Sequence, residues 1–496
     1  MYDIKITLFC LMVLEIFFSS LSGQGLIDLE RELVKELRFI DYPRTPFGAN
    51  EDYDSQDPVY DVAIIGGGMA GLTAAAALFM EGIYNVQLFD ESPQGYEGPW
   101  MTYARMKTLR TEKNEMGPAL GIPKLTFQAW YEAQFGEKSW EDLDKIPNVL
   151  WMNYLNWYRR FLNIPVENDS KLISLAYDED HFLLELDRKG ERRYVKAIKV
   201  ILATGRGGFG GAFLPSFIQD LPKRSYAHVM ENIDFAKLQN KVVGIIGCGA
   251  SAFDAAATAL EQGAKKVEMM MRAALLPSIN KFPSFHSQCF GLGYYAMNDD
   301  WKQKIMGFAL EGTVPPTLDS IKRVQNFRNF SLTPDLQICA AAIKGHDVFL
   351  TTNKGEKACD FLILATGYKV EGNRQPELKN FIESIALWKN HLTEGNASSK
   401  RLGFFPYLGS KFEFLEKIPG QAPYLKDLHC FNHASTLSQG AICRDITGIS
   451  LGAKRLAEGI AADFLALLAD DFLNSPQTIE TEFDPNEWMV GQDKRT

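Results

Sequence analysis

The sequence predicts an α/β fold built around two βαβ units, and three observations carry the prediction. DVAIIGGGMAGLTAAAAL, Asp61 to Leu78, runs an apolar strand into a glycine-rich turn and on into an alanine-rich helix. VVGIIGCGASAFDAAATAL, Val242 to Leu260, repeats that order. Between them NVQLFD, Asn85 to Asp90, supplies a second strand that ends on an acid. With 496 residues, 46% hydrophobic and 23% charged, the chain is long enough for two or more cores and has the composition of a soluble globular protein. Its formal net charge of -10 argues against a general nucleic-acid binder, because phosphate contacts need a basic face. A local basic pocket for one small phosphate remains compatible with that charge.

The elements follow in order. Residues 1–25 hold Lys5, an apolar run from Leu8 to Phe18, and small residues at Ser20 and Ser22. They resemble a secretory signal or anchor; Asp3 and Glu15 weaken the pattern and leave a plain extension as the alternative. Membrane contact is expected only if residues 1–22 act as an anchor. Leu26, Leu29, Leu33 and Leu37 have helical spacing and predict an amphipathic helix over 26–39, ended by Pro43 and Pro46. Residues 41–58 read as linker. Val62 to Ile65 is the first strand and Ala70 to Glu81 its helix. Val149 to Leu162 reads as a further helix. LISLAY, HFLLEL and KAIKVILATG read as strands ending at Gly205, and DFLILATGY, Asp360 to Tyr368, as a last strand. A C-terminal helix is expected over about Gly448 to Leu468.

The first turn, Gly66-x-Gly68-x-x-Gly71, has the spacing that dinucleotides require. The first glycine allows the tight turn, the second lets backbone approach a pyrophosphate, and the third lets helix and strand pack closely. The helix N-terminus offers free N–H groups and a positive dipole end to the phosphates. Asp90 at the next strand's end is placed to accept ribose hydroxyls, with Glu91 the lesser candidate. The second turn, Gly247-x-Gly249-x-x-Ala252, uses alanine in the third position. Its following strand, KKVEMMMR, carries no acid where one would be expected and has Arg272 instead. A carboxylate there would repel a 2′-phosphate and an arginine pairs with one, so NADPH is favoured over NADH. Two Rossmann-type sites in one chain imply one tightly held electron store and one exchanging hydride donor, assigned as FAD first and NADPH second.

The seven cysteines, Cys10, Cys248, Cys289, Cys339, Cys359, Cys430 and Cys443, form no CxxC pair. That removes the simplest dithiol redox motif and the usual zinc pairs, and no metal site is expected. Scattered free thiols fit a cytoplasmic setting, against the secretory alternative raised by residues 1–22. Asn168, Asn329 and Asn396 each begin an Asn-x-Ser glycosylation pattern.

Over roughly 58–470 the chain resembles the class B flavin-dependent monooxygenases: flavin-containing monooxygenases, Baeyer–Villiger monooxygenases and amine N-hydroxylases. Besides the two turns, LATG at Leu202–Gly205 and LATGY at Leu364–Tyr368 carry the resemblance, as do EGPW at Glu97–Trp100 and TGISLGAKRLAEGIAADF. EGPW is similar to the family's GGxW, with Glu97 replacing the first glycine. The resemblance implies an NADPH domain inserted into the FAD domain. On that basis 26–57 is N-terminal helix and linker, 58–205 the first part of the FAD domain and 206–359 the NADPH domain. Residues 360–470 are its second FAD part, and 471–496 a tail. It also implies that Trp100, Thr204, Gly205, Thr366 and Gly367 border the cofactors, and that the C-terminal helix N-terminus faces the flavin.

The Baeyer–Villiger fingerprint is broken. Around His228 the chain reads LPKRSYAHVMENIDF, with Pro222, Arg224 and Asn232 where the fingerprint has Phe, Gly and an aromatic. The implied reaction uses NADPH, FAD and O₂ to oxygenate a small-molecule nucleophile, an amine or thioether rather than a ketone. A dry cavity is needed to keep reduced oxygen from escaping. The aromatic stretches Trp100–Tyr131 and Trp151–Tyr158 supply either its walls or plain core. Arg110, Thr111, Lys113 and His228 are the weak catalytic candidates, the first three in a loop that either faces the cofactors or lies on the surface. Arg206 either faces the NADPH phosphates or is linker surface. An NAD(P)H oxidase or dehydrogenase on the same fold, or a nucleotide sensor without turnover, are the competing readings.

Overall fold

A computed structural model of the chain describes residues 23–47, 59–285, 287–392, 401–443 and 445–474. The expected leader at 1–22, the Asn396 pattern and the tail from 475 lie outside the described residues. Helix α1 (23–38) buries Leu29, Leu33 and Leu37 in the first core, as the leucine spacing predicts. Strand β1 (Val59–Ile65) feeds helix α2 (Met69–Met80), and β2 (Val86–Phe89) runs parallel to β1 with Val62 opposite Val86. Helices α3 (Phe127–Phe135), α4 (Glu137–Asp142) and α5 (Asn148–Phe161) follow, then β3 (Val166–Glu167). Strands β4 (Ser170–Asp178), β5 (His181–Arg188) and β6 (Glu191–Leu202) form an antiparallel meander. The far half of β6 joins the parallel sheet beside β1, giving the order β3-β2-β1-β6-β5-β4.

Between the sheets the chain crosses through β7 (Gly210–Ala212). The second sheet contains β8 (Tyr226–His228), β9 (Val242–Ile246) and β10 (Lys266–Met270), with α6 (Ala250–Glu261) between the last two. Helices α7 (Gln288–Gly293), α8 (Asp299–Leu310) and α9 (Leu318–Gln325) lead to β11 (Phe330–Thr333). An antiparallel trio follows: β12 (Ile338–Lys344), β13 (Asp347–Thr352) and β14 (Gly355–Cys359). Then β15 (Phe361–Leu364) enters the second sheet between β9 and β8, giving the all-parallel order β11-β10-β9-β15-β8. β16 (Tyr368–Val370) pairs with β7, β17 (Leu428–His429) adds to β6, and α10 (Ile449–Asn474) packs on α2.

One expectation is corrected here. The run Asp360 to Tyr368 is not one strand. Its apolar half pairs with β9, with Leu362 opposite Gly244, so the second unit runs to Leu364. Gly367 then turns with φ of 87°, a conformation costly for any side chain, and the chain returns through β16. Continuous apolar residues read as a single strand from sequence; the left-handed glycine breaks it.

Two cores flank the first sheet. One holds the largely buried α2 with α5 and α10, and the other holds Ala63, Ile65 and Phe89 with the meander. Burying ten of twelve residues on α2 explains its alanine content: small side chains let it lie between sheet and α10.

Candidate functional site

Each glycine turn stands at the C-terminal end of a strand paired in parallel on both sides, where α/β folds bind ligands. At the first, Gly66 has φ of 111° and its N–H donates to the Phe89 carbonyl at 2.8 Å. A Cβ at Gly71 would fall 1.8 Å from the Gly66 carbonyl oxygen, so only glycine lets α2 approach β1 this closely. Gly68 caps α2 without a side-chain hydrogen bond, and the first turn carries no acid. Its N–H groups and dipole are therefore available to a phosphate.

Asp90 is buried at the end of β2. Its Oδ2 accepts from Gly67 N–H and its Oδ1 from Ser92 N–H, both at 2.7 Å. Burial raises its carboxyl pKa, opposed by those two backbone donors. The acid thus shapes the turn, and the Ser92 side chain bonds it as well. Glu91 is exposed and pairs with Lys171 at the surface.

Glu97, which sequence reasoning noted only as a departure, is 2% exposed. Its Oε1 accepts from Arg159 Nη1 at 2.8 Å and Asn168 Nδ2 at 2.7 Å, and its Oε2 from Gly95 N–H. A Cβ at Gly67 would lie 3.4 Å from Glu97 Cγ, so this network underlies the first turn. Asn168 also donates to Ser92, and Asn329 to Ala264 and Lys265, so neither side-chain amide stands free for a glycan.

From the turn the chain runs past Gly98 to Trp100, whose indole Nε1 is buried with no partner among the described residues. Thr204 accepts from Asn432 Nδ2, which also donates to Leu202, fastening the LATG run to the returning chain. Gly205 has φ of 69°. Thr366 donates to the Phe213 carbonyl and Gly367 accepts from Phe213 N–H, so these two latch the crossing strand β7.

At the second turn Gly247 has φ of 129°, Gly249 caps α6 without a side chain, and Ala252 is fully buried in the second unit's core. Thr313 and Val314 press on Gly249, and a Cβ there would meet Thr313 Cγ2 at 2.9 Å. Arg272 stands exposed just past β10, near enough to Cys248 to oppose the burial that raises that thiol's pKa.

The loop candidates separate. Lys113 Nζ donates to the carbonyls of Trp140 and Leu143 at 2.6 and 2.7 Å, capping the end of α4. It is not bare surface, because the helix end brings unsatisfied carbonyls to it. Arg110 is not surface either; it reaches the second unit and donates to Pro315 at 2.5 Å. Thr111 is half-buried. His228 is fully buried on β8, opposite Leu364 of β15. Its Nδ1 accepts from Met230 N–H, and burial lowers its pKa to about 4. It is a neutral ring in the sheet near the crossing.

Arg105 was missed altogether. It donates from the first unit to the Val229 and Glu231 carbonyls, both at 2.6 Å, while Arg323 donates to the Arg105 carbonyl. Nothing in the local sequence separates it from a surface arginine. Arg206 is exposed, its guanidinium 5.8 Å from the Tyr368 ring centre. Most of the aromatics between Phe127 and Tyr158 are plain core.

No helix among the described residues is long and apolar enough to cross a membrane. No disulfide joins the described cysteines.

Comparison with known proteins agrees with this geometry. The family described as pyridine nucleotide-disulphide oxidoreductase matches residues 63–288. A FAD-dependent urate hydroxylase of Xanthomonas campestris pv. campestris is 39% identical over 407 residues, 81% of this chain and 85% of that protein. The ornithine hydroxylase of Pseudomonas aeruginosa superposes with a TM-score of 0.65 at 14% identity, covering 82% of this chain and 99% of that one. L-lysine 6-monooxygenase of Pseudomonas syringae gives a TM-score of 0.61 at 14% identity, with coverages of 82% and 99%. The chain belongs to the class B flavin-dependent monooxygenase superfamily and is a flavoprotein oxidoreductase.

Proposed function

We propose that the chain is an NADPH-dependent FAD monooxygenase that places one atom of O₂ on a small-molecule nucleophile. The observation that carries this reading is the pair of helix N-termini without side-chain caps, each behind a glycine turn at the end of a parallel strand, in two sheets joined by two crossings. Bound FAD would supply the redox chemistry that couples NADPH oxidation to O₂ reduction, with one oxygen atom going to substrate and the other to water. The chain's own residues do the rest. Gly66, Gly68 and Gly71 admit the FAD pyrophosphate to the α2 N-terminus, and Asp90 accepts from its ribose. Gly247, Gly249 and Ala252 do the same for NADPH, with Arg272 pairing its 2′-phosphate.

The relative's activity makes urate the first substrate to test, followed by amines and thioethers. Ketones are disfavoured, because Pro222, Arg224 and Asn232 break the fingerprint of ketone oxygenation. The test is turnover of purified, FAD-loaded protein with NADPH under ¹⁸O₂. Incorporation of one labelled atom per NADPH consumed is expected. Stoichiometric H₂O₂ with unlabelled substrate would instead establish an oxidase, and no NADPH consumption a sensor.

A further inference from the structure

The second glycine turn is covered. Between α8 and α9 the chain crosses it as a short strap, GTVPP, Gly312 to Pro316. A Cβ at Gly249 would meet Thr313 Cγ2 at 2.9 Å and the Val314 carbonyl oxygen at 3.2 Å. The second glycine of such a turn is bare so that a pyrophosphate can approach its backbone. Here a methyl group and an acceptor oxygen stand in that approach. Neither donates a hydrogen bond to a phosphate, and the oxygen repels one. The first turn differs: among the described residues a Cβ at Gly68 would meet only the backbone of Gly98, at 3.4 Å.

The strap is lightly held. Gly312, Thr313 and Val314 are exposed, although the last two lie against the turn. Gly312 has φ of 87° and open space at its Cβ position, which lets it act as a hinge after α8. Pro315 and Pro316 stiffen the other end. Thr317 then caps α9, accepting from Ser320 N–H at 3.2 Å. Among the described residues one hydrogen bond ties the strap down, from Arg110 Nη2 of the first unit to the Pro315 carbonyl at 2.5 Å. Lys145, also of the first unit, pairs with Asp319 just beyond it at 2.6 Å. The cover over the second turn is therefore latched from the first unit.

We propose that Gly312–Pro316, latched by Arg110, is an autoinhibitory strap that the pyrophosphate of a dinucleotide displaces on binding at the second turn. This rests on the reading of that turn as the NADPH site and adds a control on it. With the strap down, apparent affinity falls in proportion to the open fraction, and weakening the latch raises that fraction. Because the latch comes from the first unit, nucleotide entry is tied to how the loop around Arg110 docks on the second.

The test uses oxidised, FAD-loaded protein and NADP⁺, so that no turnover occurs. Arg110→Met keeps the stem of the side chain and removes its donors. Thr313→Gly removes the methyl group, and carries the test alone if the first variant fails to fold. By titration calorimetry both variants should bind NADP⁺ about 5- to 10-fold more tightly than wild type. Adenosine 2′-monophosphate, which lacks the pyrophosphate, is the control and should bind all three proteins equally. Unchanged or weaker NADP⁺ binding in the variants overturns the proposal. Equal tightening for both ligands also overturns it, since the pyrophosphate is then not what the strap excludes. If wild type and both variants bind neither ligand, the reading of the second turn as the NADPH site fails instead.

Discussion

Arg272 illustrates what one charge decides. It is exposed, the position lacks the acid that would repel a 2′-phosphate, and no other described residue pairs with it. Arg272→Ala is expected to raise KM for NADPH about 10-fold or more while leaving that for NADH nearly unchanged. Steady-state kinetics with both nucleotides checks this; equal losses would assign the arginine to something other than the 2′-phosphate. Glu97 illustrates a buried charge. Its partner Arg159 keeps only 16% of its side chain exposed, so removing the carboxylate strands a cation beneath the first turn. Breaking a buried pair costs about 3–5 kcal/mol, reduced here because Arg159 also donates to Asn168 and Val166. Glu97→Ala should lower the melting temperature by several degrees and weaken FAD retention, read by thermal denaturation and the flavin-to-protein absorbance ratio.

At the scale of elements, the close approach of α2 to β1 depends on Gly71. A methyl group 1.8 Å from a carbonyl oxygen is not relieved by a side-chain rotation, because backbone stands on both sides. Gly71→Ala is expected to yield protein that is insoluble or free of flavin; soluble yellow protein would show that α2 can retreat from the sheet. The loop around Arg105 belongs to the same scale. Arg105 joins the first unit to carbonyls at Val229 and Glu231. Arg105→Ala should slow anaerobic flavin reduction by NADPH about 10-fold, the loss of roughly 1.4 kcal/mol of positioning, while reduction by dithionite is unaffected. Equal slowing by both reductants would place the defect in the flavin site itself.

The whole molecule carries a pH dependence. Burial lowers His228 to about 4 and His429 to about 3. Both are neutral in the folded state at pH 7, whereas in the unfolded chain they protonate near 6.5. Below that value the unfolded state binds more protons, so stability falls with acidification from about pH 6.5 toward the folded values, by up to about 1.4 kcal/mol per unit for each ring. A steeper drop in melting temperature between pH 6.5 and 5 than between pH 8 and 6.5 is expected, and His228→Gln should flatten it. Carboxylates titrate little in the upper part of that window, so a flat profile there would mean the rings are not excluded from water.

The amino-acid order alone determined the local chemistry: two glycine turns at fixed spacing, the acid after the first and the arginine after the second, and the helical and strand periods around them. These are written within about 30 residues, the reach of a single βαβ unit. Only the tertiary structure decided what long-range packing brings together. Glu97 met Arg159, Arg105 met Val229, Lys113 met the end of α4, and Trp100 met Trp151. It also moved β15 into the second sheet, because an apolar run states that a strand is buried and not which neighbour it pairs with. Periodicity reports burial, while partners are chosen by the folded path of the chain.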